Sequence, residues 1–396
     1  MSIPDQTFNI GLFGLGVVGQ GFLSILEQTP DAQARVSKIC VKHPGKLRPV
    51  SADRLTYNPD DLLDDPDINL IVETITEIEE AFHIVSKALE RRKPVITVNK
   101  KMVAHHLPEL MALQEKYQTP VLYEGAVCGS IPIMRTLDEH FGAEPLGAIE
   151  GIFNGTSNYI LTRMQQDQLD FGTALRQAQD AGFAELDPSS DIDGDDAKYK
   201  LILLSLHSHG HASHPADVLN LGIRHLRPTD LAYARAQGGR IKLLPHVRYA
   251  AAGELVQFVL PALVMPQDPL HDIHFEFNAV RMEASFSGEQ FFKGRGAGGL
   301  PTGSAIMSDL NALQHGFHYR FRKHHLNGHT RSFSDYPLHV YLSMPAGVPW
   351  QQAPLTEALS MEQLGAVQAL TGRTTLRHLL DARGWIAENE VFLMRL

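Results

Sequence analysis

Cysteine is scarce in this chain of 396 residues, since only Cys40 and Cys128 occur. A framework of disulfide bonds is therefore excluded, and the composition indicates a reducing compartment, which we expect to be the cytoplasm. The first six residues lack the basic start and apolar stretch of a secretory signal peptide. No later apolar run approaches the ~18 residues that would span a bilayer, so no membrane partner is expected.

Basic residues are also in the minority. Lysine and arginine number 35 against 45 aspartates and glutamates, which gives a net charge of -10. Such a field repels a phosphate backbone, so nucleic acid is not an expected partner. Hydrophobic residues make up 43% of the chain and charged residues 20%, proportions that are typical of globular proteins and exclude disorder. The length predicts two or three domains.

The first third of the chain alternates short apolar runs with segments of helical period, a pattern typical of βαβ units. We expect a Rossmann-type, doubly wound parallel sheet in a domain spanning residues 1–135, which a helix near 301–318 completes. The expected strands are 8–13, 36–41, 68–72, 95–98 and 121–123, and helices are expected near 77–92 and 107–117.

A glycine-rich turn follows the first expected strand directly. It reads Gly14-Leu15-Gly16-Val17-Val18-Gly19, and the apolar residues Val18, Phe22, Ile25 and Leu26 then mark one face of a helix. In the GxGxxG signature the first glycine makes the tight turn, the second admits the pyrophosphate and the third lets helix and strand pack closely. The order strand, glycine turn, helix favours a dinucleotide site over a merely structural turn.

The end of the second expected strand bears on the choice of dinucleotide. An acidic residue there binds the ribose hydroxyls of NAD, whereas basic residues accommodate the 2′-phosphate of NADP. Residues 40–48 contain no carboxylate and three permanent cations, Lys42, Lys46 and Arg48. This composition favours NADP, while NAD, with the three cations as ordinary surface residues, remains the alternative.

The pattern changes after residue 135. Residues 136–300 are expected to form an α+β domain with a largely antiparallel sheet, whose strands include 241–247, 255–260 and 273–282. A glycine-rich loop at 294–299 leads into a helix expected over 302–313. Residues 320–396 form an atypical C-terminal segment with an expected strand at 339–344, a helical stretch near 361–383 and a final strand.

An acidic loop beginning at Asp187 runs into an expected helix that includes Asp196 and Lys200. Four residues apart on a helix, these two side chains share one face, which permits either a surface ion pair or a substrate carboxylate beside a proton-shuttling lysine. A calcium loop is rejected, because the glycine and the closing glutamate that such a loop requires are missing. The histidines from His207 to His214 lack a matching ligand set, so a zinc site is disfavoured, and Cys128 receives no role.

Beside the glycine turn, six further segments form a recognisable set in chain order: TVNKK (97–101), YEGAVCGSIP (123–132), NGTSNYIL (154–161), GFAELDP (182–188), GDDAKYK (194–200) and GRGAGGLPT (294–302). Together with the turn, this set resembles the homoserine dehydrogenase family, over a stretch from the N-terminus to about residue 315.

The resemblance implies the reversible NAD(P)H-dependent reduction of aspartate 4-semialdehyde to homoserine. By position in the motifs, Lys200 is similar to the family's acid/base lysine, and Lys100, with Lys101 as a possible substitute, to its second lysine. Glu185 and Asp196 correspond to the carboxylates that hold the substrate ammonium. The cofactor-binding residues implied are Gly14, Gly16, Val17, Val18, Gly19, Lys42, Lys100 and Gly296.

The resemblance also implies a monovalent cation, sodium, at Glu124, Val127, Gly129 and Ile131. Here the Glu124 carboxylate and backbone carbonyl groups would supply the oxygen ligands that a hard ion prefers, with a purely structural turn as the alternative. Residues 136–300 become the catalytic and dimerisation domain, and relatives imply a homodimer or a dimer-based tetramer.

The chain departs from the family's usual pattern in two places. Phe183 and Ala184 stand where many relatives carry tyrosine and threonine, so two hydroxyl groups are missing beside the acidic motif. The C-terminal segment is not clearly a regulatory ACT domain, and feedback by threonine is therefore not inferred from the sequence. Two alternative functions stay open: an NADP-dependent reductase of another small aldehyde, and a catalytically silent NADP-binding sensor.

Overall fold

Six short apolar runs form one parallel sheet in a computed structural model of the chain, which describes residues 7–251, 253–327, 331–333 and 335–396. The described residues divide into two compact units, the first built from 7–143, 202–208 and 294–325 and the second from 144–201, 209–293 and 326–396. In the order of the sheet, the strands of the first unit are Leu55–Thr56, Ala34–Cys40, Phe8–Phe13, Leu70–Glu73, Val95–Thr97 and Val121–Leu122.

This sheet confirms the doubly wound fold expected from the sequence. All its strand pairs are parallel, and the order reverses between Phe8–Phe13 and Leu70–Glu73, where such folds bind ligands outside the carboxyl ends of the strands. The helices of the first unit are Val17–Glu27, Asp60–Leu63, Ile78–Glu90, Lys100–His105, Leu107–Tyr117 and Gly299–Gln314, with Arg322–Asn327 at its end and short helical turns at Pro30–Ala32, Ala52–Arg54, Glu124–Ala126 and Thr136–His140.

The second unit is built on a larger, mostly antiparallel sheet. In order across the sheet its strands are Gly288–Arg295, Phe277–Ala284, Leu146–Ile152, Arg240–Ala251, Glu254–Val264, Phe392–Arg395, Pro337–Pro345, Val367–Thr375 and Glu357–Leu364, and the short strands Leu219–Asn220 and Arg331–Ser332 pair with Glu254–Val264. Its helices are Gly155–Gln166, Phe171–Asp180, Ser189–Ile192, Pro228–Ala236, Leu376–Asp381 and Arg383–Glu388, with short turns at Pro215–Asp217 and Trp350–Gln352. Helix Asp195–His209 contributes residues to both units.

One strand of this unit begins later than expected. The apolar run from Ile273 predicted a strand to Met282, but the strand starts at Phe277. Phe275 has a φ of 56°, a left-handed conformation that no strand accommodates. Residues 273–276 therefore form a bend, and the carbonyl oxygens of Ile273 and Phe275 accept hydrogen bonds from the Asn158 amide.

The helix predicted near 361–383 is wrong over its first part. Glu357–Leu364 and Val367–Thr375 form an antiparallel hairpin, and helix begins only at Leu376. Gly365 adopts a φ of 65° in the two-residue loop between the strands, a conformation that two-residue hairpin loops require and that glycine adopts without strain.

The C-terminal segment joins the large sheet through its last strand. Arg395 lies next to Ala262 on strand Glu254–Val264, and its guanidinium donates to Glu150 Oε1 over 2.5 Å. The opposite oxygen of this buried carboxylate accepts from Arg281 over 2.7 Å, and His246 Nδ1 lies 3.0 Å from Oε1. Burial raises the pKa of Glu150, but Arg395 and His246 outweigh this effect and hold the pKa far below its usual range.

Within the residues that the structure describes, no helix is both long enough and apolar enough to cross a bilayer.

Candidate active site

The three glycines of the turn after the first strand meet three different requirements. Gly14 has a φ of 89°, and a Cβ there would lie 2.8 Å from Thr74 Oγ1. A Cβ on Gly19 would lie 2.6 Å from the Gly14 carbonyl oxygen, whereas a Cβ on Gly16 would meet nothing within 4 Å. The tight turn, the open backbone and the close approach are the geometry of a dinucleotide-binding turn.

Helix Val17–Glu27 begins at this turn with Val17 largely exposed and Val18 half-buried. Its first turn contains no acidic side chain, so the positive end of the helix stays available to an anion. The helix packs closely on Gly299–Gln314, since a Cβ on Gly21 would lie only 2.2 Å from the Gly299 carbonyl oxygen. This packing holds the second glycine-rich loop, with Gly296, beside the first unit's turn region.

The predicted NADP-selecting cations lie in an exposed loop after the second strand. Lys42 Nζ is 3.4 Å from Glu80 Oε2, and both side chains are exposed. The Arg48 guanidinium donates to the carbonyl oxygens of His43 and Lys46 over 2.8 and 2.9 Å. Glu80 thus brings to this loop a carboxylate that the local sequence lacks, and no local signal reveals it because it lies on a helix some 40 residues along the chain.

Lys100 is the first residue of helix Lys100–His105 and is half-buried, as is Lys101. Asn99 caps this helix, because its Oδ1 accepts a hydrogen bond from the Met102 amide over 3.0 Å. The helix follows the strand Val95–Thr97, so Lys100 lies at the carboxyl edge of the parallel sheet, the same edge as the Gly14 turn.

The loop 124–131, predicted to hold sodium, contains a buried cluster of charges formed by Glu124, Arg135 and Asp309. The Glu124 carboxylate accepts hydrogen bonds from the amides of Met134 and Arg135, each over 2.9 Å. Arg135 Nε lies 3.5 Å from Glu124 and 3.9 Å from Asp309. Asp309 accepts from the Glu124 amide over 2.9 Å, a contact between residues so far apart in sequence that the sequence does not reveal it.

This cluster holds two carboxylates against one guanidinium. Burial raises the pKa of both acids, and for Asp309 the charge of Glu124 raises it further. Next to Glu124, Cys128 and Gly129 have φ values of 53° and 54°, so the chain turns sharply there. A Cβ on Gly129 would lie 2.8 Å from the carbonyl carbon of Gly296, which places the two predicted sites side by side in the first unit.

His207, one of the histidines considered as zinc ligands, is buried, and both of its ring nitrogens lie within hydrogen-bonding distance of a side chain. Its Nε2 lies 2.7 Å from the Tyr123 hydroxyl, and its Nδ1 lies 3.2 Å from Asp138. Among the described residues, no three His, Cys, Asp or Glu side chains are grouped so that they could hold a metal ion.

The second unit brings Lys200 and Asp196 together in a buried cluster. Lys200 Nζ donates to Asp196 Oδ2 and to the Phe153 carbonyl oxygen, each over 2.6 Å. The residues are 6% and 5% exposed, which excludes the interpretation as a surface ion pair. The contact arises because the two residues lie one helical turn apart on Asp195–His209, next to the end of strand Leu146–Ile152.

The amide of Asn154 joins a further carboxylate to this cluster. Its Nδ2 donates to Asp196 Oδ2 over 2.8 Å and to Asp191 Oδ1 over 2.7 Å. Asp191 is the site residue that the sequence analysis missed, because its only signal was membership of an acidic loop. Its position beside Asp196 places two carboxylates near the Lys200 ammonium group.

Glu185, the other predicted substrate carboxylate, lies on an exposed loop. The loop is held at Phe183, whose carbonyl oxygen accepts from Thr156 Oγ1 over 2.6 Å and whose ring lies 5.0 Å from the Tyr159 ring. The structure therefore does not bring the Glu185 carboxylate into contact with Asp196 or Lys200, although the loop that carries it leads directly to Asp191.

A dinucleotide-binding turn in one unit and a buried lysine with paired carboxylates in the other define a nicotinamide-dependent oxidoreductase. Two family models match the chain, "Homoserine dehydrogenase, NAD binding domain" over residues 14–124 and "Homoserine dehydrogenase" over 132–310. The chain belongs to the homoserine dehydrogenase family.

Named relatives agree with this assignment. The chain is 33% identical to the homoserine dehydrogenase of Bacillus subtilis over 78% of this chain and 73% of that protein. It is 37% identical to the Synechocystis enzyme over 77% and 73%. Among solved structures, a homoserine dehydrogenase from Thiobacillus denitrificans superposes with a TM-score of 0.85 at 30% identity, covering 99% of this chain and 98% of the other. A hyperthermophilic archaeal homoserine dehydrogenase in complex with NADPH gives 0.69 at 26% identity, covering 80% of this chain and all of the other.

Proposed function

We propose that this enzyme reduces aspartate 4-semialdehyde reversibly to L-homoserine, with Lys200 as the proton donor and NADPH as the preferred reductant. The observation that carries the proposal is the buried Lys200 ammonium held between Asp196 and the Phe153 carbonyl oxygen. When bound, the nicotinamide supplies the hydride. As the aldehyde carbon accepts it, negative charge develops on oxygen, and a nearby ammonium both stabilises that charge and delivers the proton.

The hydrogen bonds at Lys200 also orient it. An ammonium group has three N–H donors, and among the described residues Asp196 and Phe153 accept two of them, so the third is left for the substrate oxygen. Asn154 fixes the carboxylates of Asp191 and Asp196 side by side. Paired carboxylates suit the substrate ammonium, and we assign this recognition to them, together with Glu185 as the resemblance implies.

Substitution of Lys200 by alanine tests the catalytic assignment. We expect turnover to fall about 10²-fold or more, because general acid catalysis contributes that much, while NADPH binding stays intact. Lys198→Ala is the matched control, since Lys198 lies on the same helix but bonds to Asp195 and Asn220; its turnover is expected within about threefold of the parent. Steady-state kinetics at 340 nm and NADPH fluorescence titration provide the readouts. Near-normal turnover of Lys200→Ala would remove Lys200 from the acid/base role.

The preference for NADP is proposed from the cations after the second strand. Lys42 is the first of them after the second strand, and its exposed ammonium lies 3.4 Å from Glu80 Oε2. We expect Lys42→Ala to lower the ratio of kcat/KM for NADPH over NADH by about tenfold, since one charge-assisted contact to a phosphate contributes roughly 1.5 kcal/mol or more. An unchanged ratio would remove Lys42 from cofactor selection, and a parent ratio at or below one would make NAD the preferred cofactor.

Sodium is proposed at the loop 124–131, with carbonyl oxygens of Val127, Gly129 and Ile131 as ligands beside Glu124. Two observations support it: two buried carboxylates face one guanidinium, and the backbone reverses sharply at Cys128 and Gly129. The Glu124 carboxylate accepts the Met134 amide on one oxygen and the Arg135 amide on the other, which holds it fixed beside the turn. Activity measured in sodium against a bulky organic cation, with and without threonine, tests the ion and any feedback together.

A homodimer in the cytoplasm is the expected assembly and location. The edge strand Gly288–Arg295 and the turn before it expose Phe286 and Phe291, and we propose that a second copy of the chain covers them. Sedimentation of Phe286→Ser, expected to shift toward monomer, tests this. Cys40 and Cys128 are both buried thiols rather than halves of a disulfide bond, which supports the reducing compartment.

A different small aldehyde remains the alternative substrate, on one observation. Phe183 packs on Tyr159 where relatives often carry a hydroxyl group, so the wall beside the acidic motif is more apolar. Comparing kcat/KM for aspartate 4-semialdehyde with that for aldehydes lacking the ammonium group distinguishes the two, because Asp191 and Asp196 favour only an ammonium-bearing substrate.

A further inference from the structure

A fully buried carboxyl group lies at the carboxyl end of the central strand, outside every predicted site. Glu73 is the last residue of Leu70–Glu73 and has no exposed surface. In the register of the sheet it lies between Phe13, which precedes the Gly14 turn, and Thr97. The next residue, Thr74, touches Gly14. Glu73 therefore lies directly beneath the edge where the dinucleotide binds.

Four hydrogen bonds close a ring around this carboxyl group. Glu73 Oε2 accepts from Thr97 Oγ1 over 2.5 Å, and Oε1 accepts from the Ile75 amide over 2.6 Å. Thr97 Oγ1 accepts from the Asn99 amide over 3.0 Å. The ring closes because the Asn99 side-chain amide donates to the Ile75 carbonyl oxygen over 3.2 Å. The loops that follow two neighbouring strands are thereby joined to one carboxyl group.

Asn99 links this ring to the helix that carries Lys100. Its Oδ1 caps the helix at the Met102 amide, while its backbone and Nδ2 belong to the ring. A rigid Asn99 sets the position of the next residue, Lys100. We infer that Glu73 is a positioning residue that holds Lys100 and the loop 74–77 in place at the dinucleotide edge.

This inference rests on the role that the family resemblance implies for Lys100, that of a second lysine near the nicotinamide and the substrate. It makes a chemical distinction that can be tested. The ring needs one acceptor toward the Ile75 amide and one polar partner toward Thr97. Glutamine offers both, since its oxygen accepts and its amide donates to the threonine hydroxyl. Alanine offers neither. At Thr97, serine keeps the hydroxyl group and valine removes it with little change of shape.

The experiment compares these variants in the full-length enzyme by kcat, by KM for homoserine, by NADPH affinity and by melting temperature. We expect Glu73→Ala and Thr97→Val to lower kcat at least tenfold with KM for homoserine within twofold. Glu73→Gln and Thr97→Ser are expected to retain at least a third of kcat. If Glu73→Ala does not fold, Thr97→Val against Thr97→Ser carries the same comparison.

A double-mutant cycle with Lys100→Ala separates this proposal from the one on which it rests. If Glu73 acts through Lys100, Glu73→Ala lowers kcat less than threefold in the Lys100→Ala background. Full additivity, or an equal loss in Glu73→Gln and Glu73→Ala, would overturn the positioning role. If Lys100→Ala itself keeps normal activity, the role of Lys100 fails first; if only Lys100→Ala is impaired, the ring proposal alone is overturned.

Discussion

Glu73 also carries a cost in stability that depends on pH. Burial raises its pKa from 4.5 to about 7, and the charge of Glu80 adds to this against the hydrogen bonds from Thr97 and Ile75. Because the folded state binds this proton more tightly than the unfolded state, the contribution of Glu73 to stability falls as pH rises from about 4.5 to 7.

Glu73→Gln is therefore expected to unfold at a higher urea concentration than the parent at pH 8. The gain in its free energy of unfolding should be at most about 3 kcal/mol. The gain should shrink markedly at pH 5.5, where the buried acid is protonated. Glu362→Gln, on the exposed strand Glu357–Leu364, is the control and should show no such pH dependence. An equal gain at both pH values would mean that charge at Glu73 is not the cause.

At single residues, the contacts that the sequence could predict are those between residues close together in the chain. Asp196 and Lys200 lie four apart on one helix, so their contact follows from helical geometry. Asn154, Glu80 and Asp309 reach their sites through strands and helices far away in sequence. Neither hydrophobic periodicity nor a motif in a single sequence predicts such contacts, because they depend on how distant elements pack.

Among the elements of the first unit, helices Val17–Glu27 and Gly299–Gln314 pack with their backbones in close contact. A methyl group on Gly21 would overlap the Gly299 carbonyl oxygen at 2.2 Å. Gly21→Ala is therefore expected to lower stability by about 2 to 3 kcal/mol, since a close-packed interface cannot relax without moving backbone.

Gly16→Ala provides the contrast, because nothing lies within 4 Å of the added methyl group. We expect its melting temperature to stay close to that of the parent while NADPH binding weakens, since the methyl group occupies the space of the pyrophosphate. Calorimetry and NADPH titration of both variants test this. A loss of stability in Gly16→Ala equal to that of Gly21→Ala would contradict the assigned roles of the two glycines.

The parallel strands and the glycine turn were predictable as elements, because buried strands read as continuous apolar runs between turn residues. The hairpin around Gly365 was not predictable from the sequence. Its first strand is exposed on both faces, so it lacks the alternation by which strands are recognised. Glu357–Leu364 is a strand because it pairs with Val367–Thr375, and not because of a strand pattern in its own residues.

For the second unit as a whole, the buried Glu150 cluster joins the strand Phe392–Arg395 to the central strands of the sheet. Arg395→Ala removes one of three partners from a buried carboxylate. We expect a loss of about 2 to 3 kcal/mol, because a buried charge deprived of its partner keeps its cost of desolvation. Arg373→Ala is the control, since its pair with Glu357 is largely exposed and should contribute at most about 1 kcal/mol. Urea unfolding of both variants at pH 7 provides the comparison, and equal losses would refute it.

The position of Arg395 has a practical consequence for anyone who handles this enzyme. The Arg395 side chain forms a buried contact, and the Leu396 backbone amide donates to the His339 carbonyl oxygen. A purification tag or reporter joined directly after Leu396 would begin at these bonds and therefore needs a flexible spacer. Proteolytic removal of Arg395 and Leu396 would already reach the interior of the sheet.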